Sequence, residues 1–355
     1  MDVGIQVIFS AFGADASDSQ IYSEEIELCL LAEDLGFDVL WPVEHHFSDY
    51  SFCPDNMQFL SYLAGRTSTI DLGTAAVILP WNEPLRVAEK ISLLDELAGG
   101  RVRFGMGRGL SRREYEPFRG IEMDESRGRF DEAAPMILDA LETGFIEGSG
   151  AFYPQPRTEL RPRPTRTFKG RTYAVANSPD SVEIAAKIGA RMIMFAERAW
   201  DSRMAGIQHY RDQYRLHHGA EAPPVLTCDF IYCDEKADRG EELASQYLGT
   251  YLASLLNHYE LMGEHFSTLA GYEGYDQNAE MMRAMGESGY LKAFKAANAY
   301  GTPDQILRGL ESRREVLGSF EQSTSFRFGG IALPEAEASM RLFAKEVLPV
   351  LKSWD

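Results

Sequence analysis

The chain has 355 residues, 45% of them hydrophobic, with 54 acidic against 35 basic side chains and a formal net charge of −19. That excess of negative charge disfavours nucleic acid and anionic membrane surfaces as partners, and no apolar run approaches the ~20 residues that a membrane helix needs. Asp2 stands where an export signal carries positive charge, and Cys29, Cys53, Cys228 and Cys233 form no CxxC pair, so structural zinc is not expected and a reducing cytoplasm fits best.

In chain order, GIQVIFS reads as a short buried strand. IYSEEIELCLLAEDLG places Leu28, Leu31, Ala32 and Leu35 on one helical face, with Gly36 where a C-cap belongs. FDVLWPV is a strand, NMQFLSYLAGRTS a helix and IDLGTAAVILP a strand. EPLRVAEKISLLDELAGG is an amphipathic helix closed by two glycines, and RVRFGMG follows as a strand. Beyond Gly109 the beat loosens: SRREYEPFRGIEMDESRG reads as polar loop, RFDEAAPMILDALETG as a helix with Pro135 at a kink or late start, and Ser149 to Arg171 as a long connection. RTYAVAN, ARMIMF, APPVLTCDFIYC and STSFRFGGIAL continue the strands, with helices between them and a closing helix after the last. A long helical segment from Glu235 to about His265 precedes a glycine- and tyrosine-rich stretch, and 264–300 is expected to be a mobile insertion. About eight strand–helix units with short connections predict an α/β fold, a single (β/α)8 TIM barrel spanning 1–355 with insertions. In such barrels the chemistry sits at the C-terminal ends of the strands.

WPVEHHF ends the second strand, so Glu44, His45 and His46 stand where a barrel keeps its site. Alternation along the strand sends His45 one way and Glu44 and His46 the other. An imidazole there is suited to take or lend a proton near neutral pH, although two surface or supporting histidines fit the same pattern. A metal site is the weaker reading, since HEXXH spacing is absent. In RVRFGMGRGL the glycines lack the dinucleotide spacing, because Leu110 occupies the third glycine position. They would let a flat ligand approach the backbone with Arg108 meeting an anion; a tight turn beside a surface arginine is the plainer account. After Asn177, Ser178 and Ser181 open a helix whose free N–H groups suit a phosphate or are simply capped. The His217–His218 pair reads as cations at a helix C-terminus, and no partner is evident for His258 or His265.

FDVLWPVEHHF, LGTAAVILPWNEPLRVAEKISLLDELAGGRVRFGMGRGL, YAVANSPDSVEIAAKIG, YGTPDQIL and LFAKEVLPVLK follow one another in an order and spacing that resemble the bacterial luciferase family of flavin-dependent monooxygenases, specifically its catalytic alpha-type members. The resemblance implies a barrel that binds reduced FMN and uses O2 to oxygenate a small organic substrate through a flavin hydroperoxide. It implies His45 as the catalytic histidine with Glu44 and His46 as its neighbours. Ala75 and Ala76 would lie under the isoalloxazine ring, joined by a non-proline cis peptide, and the Leu110 backbone would meet the ring. Arg108 would grip the phosphate, with Ser178 and Ser181 as donors just after Asn177. Gly107, Asn177 and Ala196 depart from luciferase itself, which has a cysteine, a glutamate and an indole there, and Glu114 lies near its loop aspartate. No motif binds NAD(P)H, which implies a separate NAD(P)H:flavin reductase, and the helix at NMQFLSYLAGRTS is compatible with a homodimer. A deazaflavin-dependent oxidoreductase of the same superfamily, a non-catalytic flavin-binding protein and a barrel metallohydrolase are the alternatives.

Overall fold

Eight parallel strands close on themselves. The computed structural model describes residues 1–263 and 272–354, and within them β1 (Val3–Val7), β2 (Val39–Pro42), β3 (Asp71–Gly73) with its continuation β4 (Val77–Ile78), and β5 (Val102–Gly107) form the first half of the wall. An antiparallel hairpin of β6 (Phe145–Gly148) and β7 (Gln155–Glu159) stands outside it, and β8 (Thr172–Val175), β9 (Arg191–Phe195), β10 (Val225–Phe230) and β11 (Phe320–Ser325) complete the ring. The hydrogen-bonded order runs β1, β2, β3, β5, β8, β9, β10, β11 and back to β1, every pair parallel.

The helices pack outside: α1 (Asp18–Asp34), α2 (Asn56–Ala64), α3 (Pro84–Leu97), the single turn α4 (Arg112–Tyr115), α5 (Ser126–Thr143), α6 (Pro179–Lys187) and α7 (Met204–His218), then α8 (Ala237–Tyr259), α9 (Glu273–Ala297), α10 (Pro303–Leu317), α11 (Leu333–Glu346) and α12 (Leu348–Lys352). The ends carry the expected punctuation. Gly36 follows α1 at φ +83°, and Gly219 closes α7 at φ +63°, a backbone region that glycine enters without penalty. Pro135 lies inside α5, which starts nine residues before it.

Two apolar layers hold the barrel. The larger lies between strands and helices, and a small interior cluster joins Val39, Trp41, Ala75, Tyr173, Ile193, Leu226 and Cys228. Trp41 fits because its neighbours carry no side chain: a Cβ on Gly73 would come within 2.3 Å of the indole, and one on Gly4 within 2.7 Å. Interiors this dense tolerate no added methyl. At the N-terminal end Arg103 pairs with Asp71 at 2.8 Å and Asp2 at 2.7 Å, while Tyr173 donates to Glu321 at 2.9 Å. Polar closure at the bottom leaves the top for the loops.

The stretch expected to be an insertion is helical from Glu273 to Ala297, broken at Gly286, and α9 packs on α8. His265 lies outside the described residues. The connection after α5 holds the β6–β7 hairpin, and the loop read as polar carries α4, with Glu114 and Tyr115 buried. All four cysteines are free and buried. Among the described residues no helix is long and apolar enough to cross a membrane.

Candidate active site

A cavity opens at the C-terminal ends of the strands, and Glu44, His45, Ala75, Ala76, Arg108, Leu110, Asn177, Ser178 and Ser181 all line it. His46 does not. It sits behind, its ring edge-on to Trp81 and Phe118 with centroids 5.2 and 5.1 Å away. The expected alternation holds for His45 and His46 but not for Glu44: past the end of β2, Glu44 and His45 both reach the cavity, and His46 is packed against aromatic rings.

His45 is held from both sides. Its Nδ1 lies 3.0 Å from Glu114 Oε1 and its Nε2 lies 3.3 Å from the Tyr259 hydroxyl. An ionised carboxylate only accepts, so Nδ1 carries the proton and Nε2 presents its lone pair to Tyr259 and the cavity. Glu114 Oε1 also accepts from the His46 backbone N–H at 2.8 Å. Its Oε2 faces His258 Nε2 at 3.5 Å, off the line of a hydrogen bond. Burial works against the Glu114 charge, but His45 and His258 outweigh it and hold the carboxyl at about 2. Burial lowers His258, which favours its neutral form; its Nδ1 meets Ser48 Oγ at 2.9 Å. Ligand atoms of His45, Glu114 and His258 lie within 4.8 Å of one another. His45 and Glu114 share a hydrogen bond, and His258 stands against the other oxygen of the same carboxylate.

The floor is built by Glu44 and Asn56. Burial raises the Glu44 pKa, and its carboxyl accepts from Ile78 N and Asn82 Nδ2, both at 3.0 Å. Asn56 Nδ2 donates to the carbonyls of Pro42 at 3.3 Å and Ala76 at 3.1 Å. Between these anchors the Ala75–Ala76 peptide is cis. The glycines of β5 answer to the same floor: a Cβ on Gly105 would come within 2.0 Å of the Thr74 carbonyl, and one on Gly107 within 2.9 Å of Ile78 Cδ1. Close approach of protein to protein thus accounts for both.

At the other end two guanidiniums share the wall. Arg108 stacks on Tyr272, 3.9 Å from its ring centre, and its Nη1 is buried without a hydrogen-bond partner. Arg127, which no sequence pattern marks, lines the same cavity with Nε and Nη2 equally unpartnered. Burial and the neighbouring Arg108 charge lower its pKa. Opposite them α6 begins with a capping box: Ser178 accepts from Ser181 N, and Ser181 Oγ accepts from Ser178 N at 2.9 Å and Asn177 N at 3.1 Å. Buried donors without acceptors are costly, at about 1–3 kcal/mol each. Two such cations beside a helix N-terminus fit a phosphate dianion, which would accept from all of them.

Sequence patterning missed Arg127, Asn56, Tyr259 and the partnership of His258 with Glu114. Each sits in a helix or its end with no local signature. Only Glu114 has a signal, through its place near the family's loop aspartate.

A sequence-family model described as luciferase-like monooxygenase matches residues 1–319. An alkanal monooxygenase alpha chain of Photorhabdus luminescens is 26% identical over 344 residues, 95% of this chain and 94% of the relative. The oxygenase component of a flavin-dependent trigonelline monooxygenase from Acinetobacter baylyi is 25% identical over 232 residues, covering 65% of this chain and 64% of its own. Among solved structures, the monooxygenase RslO1 from Streptomyces bottropensis superposes with a TM-score of 0.80 at 25% identity, covering 99% of both chains.

Proposed function

The chain belongs to the luciferase-like monooxygenase family, an oxygenating, flavin-dependent class, and from that premise we propose that its flavin is FMN, used in the reduced state with O2. The observation that carries the choice is the set of buried donors without acceptors, Arg108 Nη1 and Arg127 Nε and Nη2, in the cavity that also holds His45; Arg127 Nη1 is spent on Asp131 at 3.5 Å. They and the α6 start, with Ser178, Ser181 and the Asn177 peptide, would hold the phosphate. The backbone of Ala75, Ala76 and Leu110 would lie against the ring. When bound, the reduced flavin delivers electrons to molecular oxygen and so makes one oxygen atom transferable.

His45 manages the proton. With Nδ1 fixed on Glu114, its Nε2 can accept a proton from a group at the cavity wall, and the ionised Glu114 stabilises the imidazolium that results. Glu44 holds the floor through the Ile78 N–H, and His46 braces Glu114 through its own backbone. The apolar wall of Val43, Ile78, Phe130, Val175 and Phe195 excludes water from the reacting atoms. The relative from Acinetobacter baylyi is named an oxygenase component, which supports a separate NAD(P)H:flavin reductase here. We also read the protein as a homodimer.

Titration with FMN and riboflavin tests the cofactor. FMN is expected to bind at least about tenfold tighter than riboflavin, and Arg127→Met to remove most of that advantage while leaving riboflavin unchanged, since a charge-assisted hydrogen bond is worth ~1.5–3 kcal/mol. Oxygen uptake with reduced FMN then separates oxygenation from hydride transfer. Equal affinity for the two flavins, or binding of a deazaflavin alone, sinks the reading.

A further inference from the structure

Beyond His45 the cavity continues along an aromatic wall. The Tyr50 ring stands edge-on to His45 with centroids 5.1 Å apart, Tyr251 follows at 5.7 Å, and Phe230 lies 4.0 Å from Tyr251. Tyr50 and Tyr251 hydrogen-bond to each other through their hydroxyls at 2.8 Å, so this wall presents rings and few free polar atoms. Glu197, two residues past the end of β9, lines the same cavity.

Glu197 is unlike the other two cavity carboxylates. Glu44 and Glu114 each accept from backbone and side-chain donors at 3.0 Å or less. The Glu197 side chain is 35% exposed, and among the described residues its ion-pair partner is Arg203, a long contact of 3.9 Å. Burial raises its pKa, and the Arg203 and Arg198 charges oppose that.

A carboxylate in such surroundings is stabilised by a hydrogen-bond donor. Arg203 already supplies positive charge to this carboxylate, which leaves its accessible oxygens to accept from a neutral donor rather than a cation. Rings lined up edge-on and tilted favour a flat aromatic ligand over a flexible alkyl chain. Building on the flavin reading above, we infer that this cavity takes an aromatic substrate whose phenolic hydroxyl donates to Glu197 while its reacting carbon lies at His45.

Calorimetric titration of the FMN-saturated protein with alpha-tetralone, its phenolic derivative hydroxylated on the aromatic ring, an aminomethyl derivative of the same size, and decanal tests this. The phenolic ketone is expected to bind about tenfold tighter than alpha-tetralone, the factor that one hydrogen bond to a charged group supplies, and tighter than the cationic analogue and decanal. Glu197→Leu should remove the factor by weakening the phenolic ketone alone. Should that variant fail to fold, Glu197→Gln, which keeps an acceptor oxygen without charge, should cut the factor to about two- or threefold. Equal affinity for the two ketones, an unchanged ratio in the variant that folds, tighter binding of decanal or the cation, or no saturable binding of any of the four overturns the inference. FMN titration of the same proteins reports the cofactor separately, and the ketone ratio in flavin-free protein remains measurable if FMN does not bind.

Discussion

Glu114 is where a single carboxylate sets both orientation and charge. Held at about 2 in the folded protein against ~4.3 in an unfolded chain, it contributes stability that is full above the unfolded value and is lost as pH falls toward 2. Glu114→Gln keeps an acceptor for the His46 N–H and loses the charge. Between pH 7 and pH 3 the wild type should lose on the order of 2 kcal/mol more stability than the variant, read from urea midpoints at the two pH values. Parallel losses would mean that the carboxylate is not depressed. His45 and Arg108 were legible in the sequence because each closes a strand, and a barrel makes strand ends meaningful. Arg127 and His258 were not, since each acquires its role only when a distant segment arrives beside it: His258 lies 2.9 Å from Ser48, 210 residues away in the chain.

Two helices carry the same start signal with different surroundings, which lets the cap be separated from the ligand. α6 opens with the Ser178–Ser181 box on the cavity, and α10 with the Thr302–Gln305 box away from it. Ser178→Ala and Thr302→Ala should each lower stability by about 1 kcal/mol, measured by thermal or urea unfolding. Only Ser178→Ala should also weaken FMN, by several-fold. If both variants bind FMN like the wild type, the α6 start is a cap and nothing more. Amphipathic helices such as α3 and α10 could be read from sequence because a first-turn proline and an apolar stripe agree, and α10 adds the Thr302 cap. α9 could not: its glycines imitate a loop, and it is helical where it packs on α8. The β6–β7 hairpin is likewise hidden by prolines and arginines, for its strand β7 lies half-exposed outside the barrel.

The alternation of strand and helix made the closed barrel legible at the scale of the whole molecule, because parallel strands buried on both faces need crossovers of that length. What strand periodicity does not convey is the outer surface, and there α2 and α3 stand out. They pack side by side, tied by Lys90 to Asp55 at 2.7 Å, and they expose Tyr62 at 48%, Leu93 at 47% and Leu97 at 56%. Large apolar side chains exposed on adjacent helices support the proposed homodimer through this face, and a two-fold axis through them would set each pair against its copy. Association must overcome repulsion between two chains of net charge −19 each, which is screened within ~10 Å at 0.1 M salt. The homodimer should therefore tighten as salt rises, opposite to an interface held by ion pairs. Leu93→Glu with Leu97→Glu adds charge at that face and should halve the mass seen by light scattering, while FMN affinity, set by residues at the strand ends, stays within about twofold. A wild type of single-chain mass at high salt would dispose of the dimer, and a variant that keeps the double mass would move its interface elsewhere.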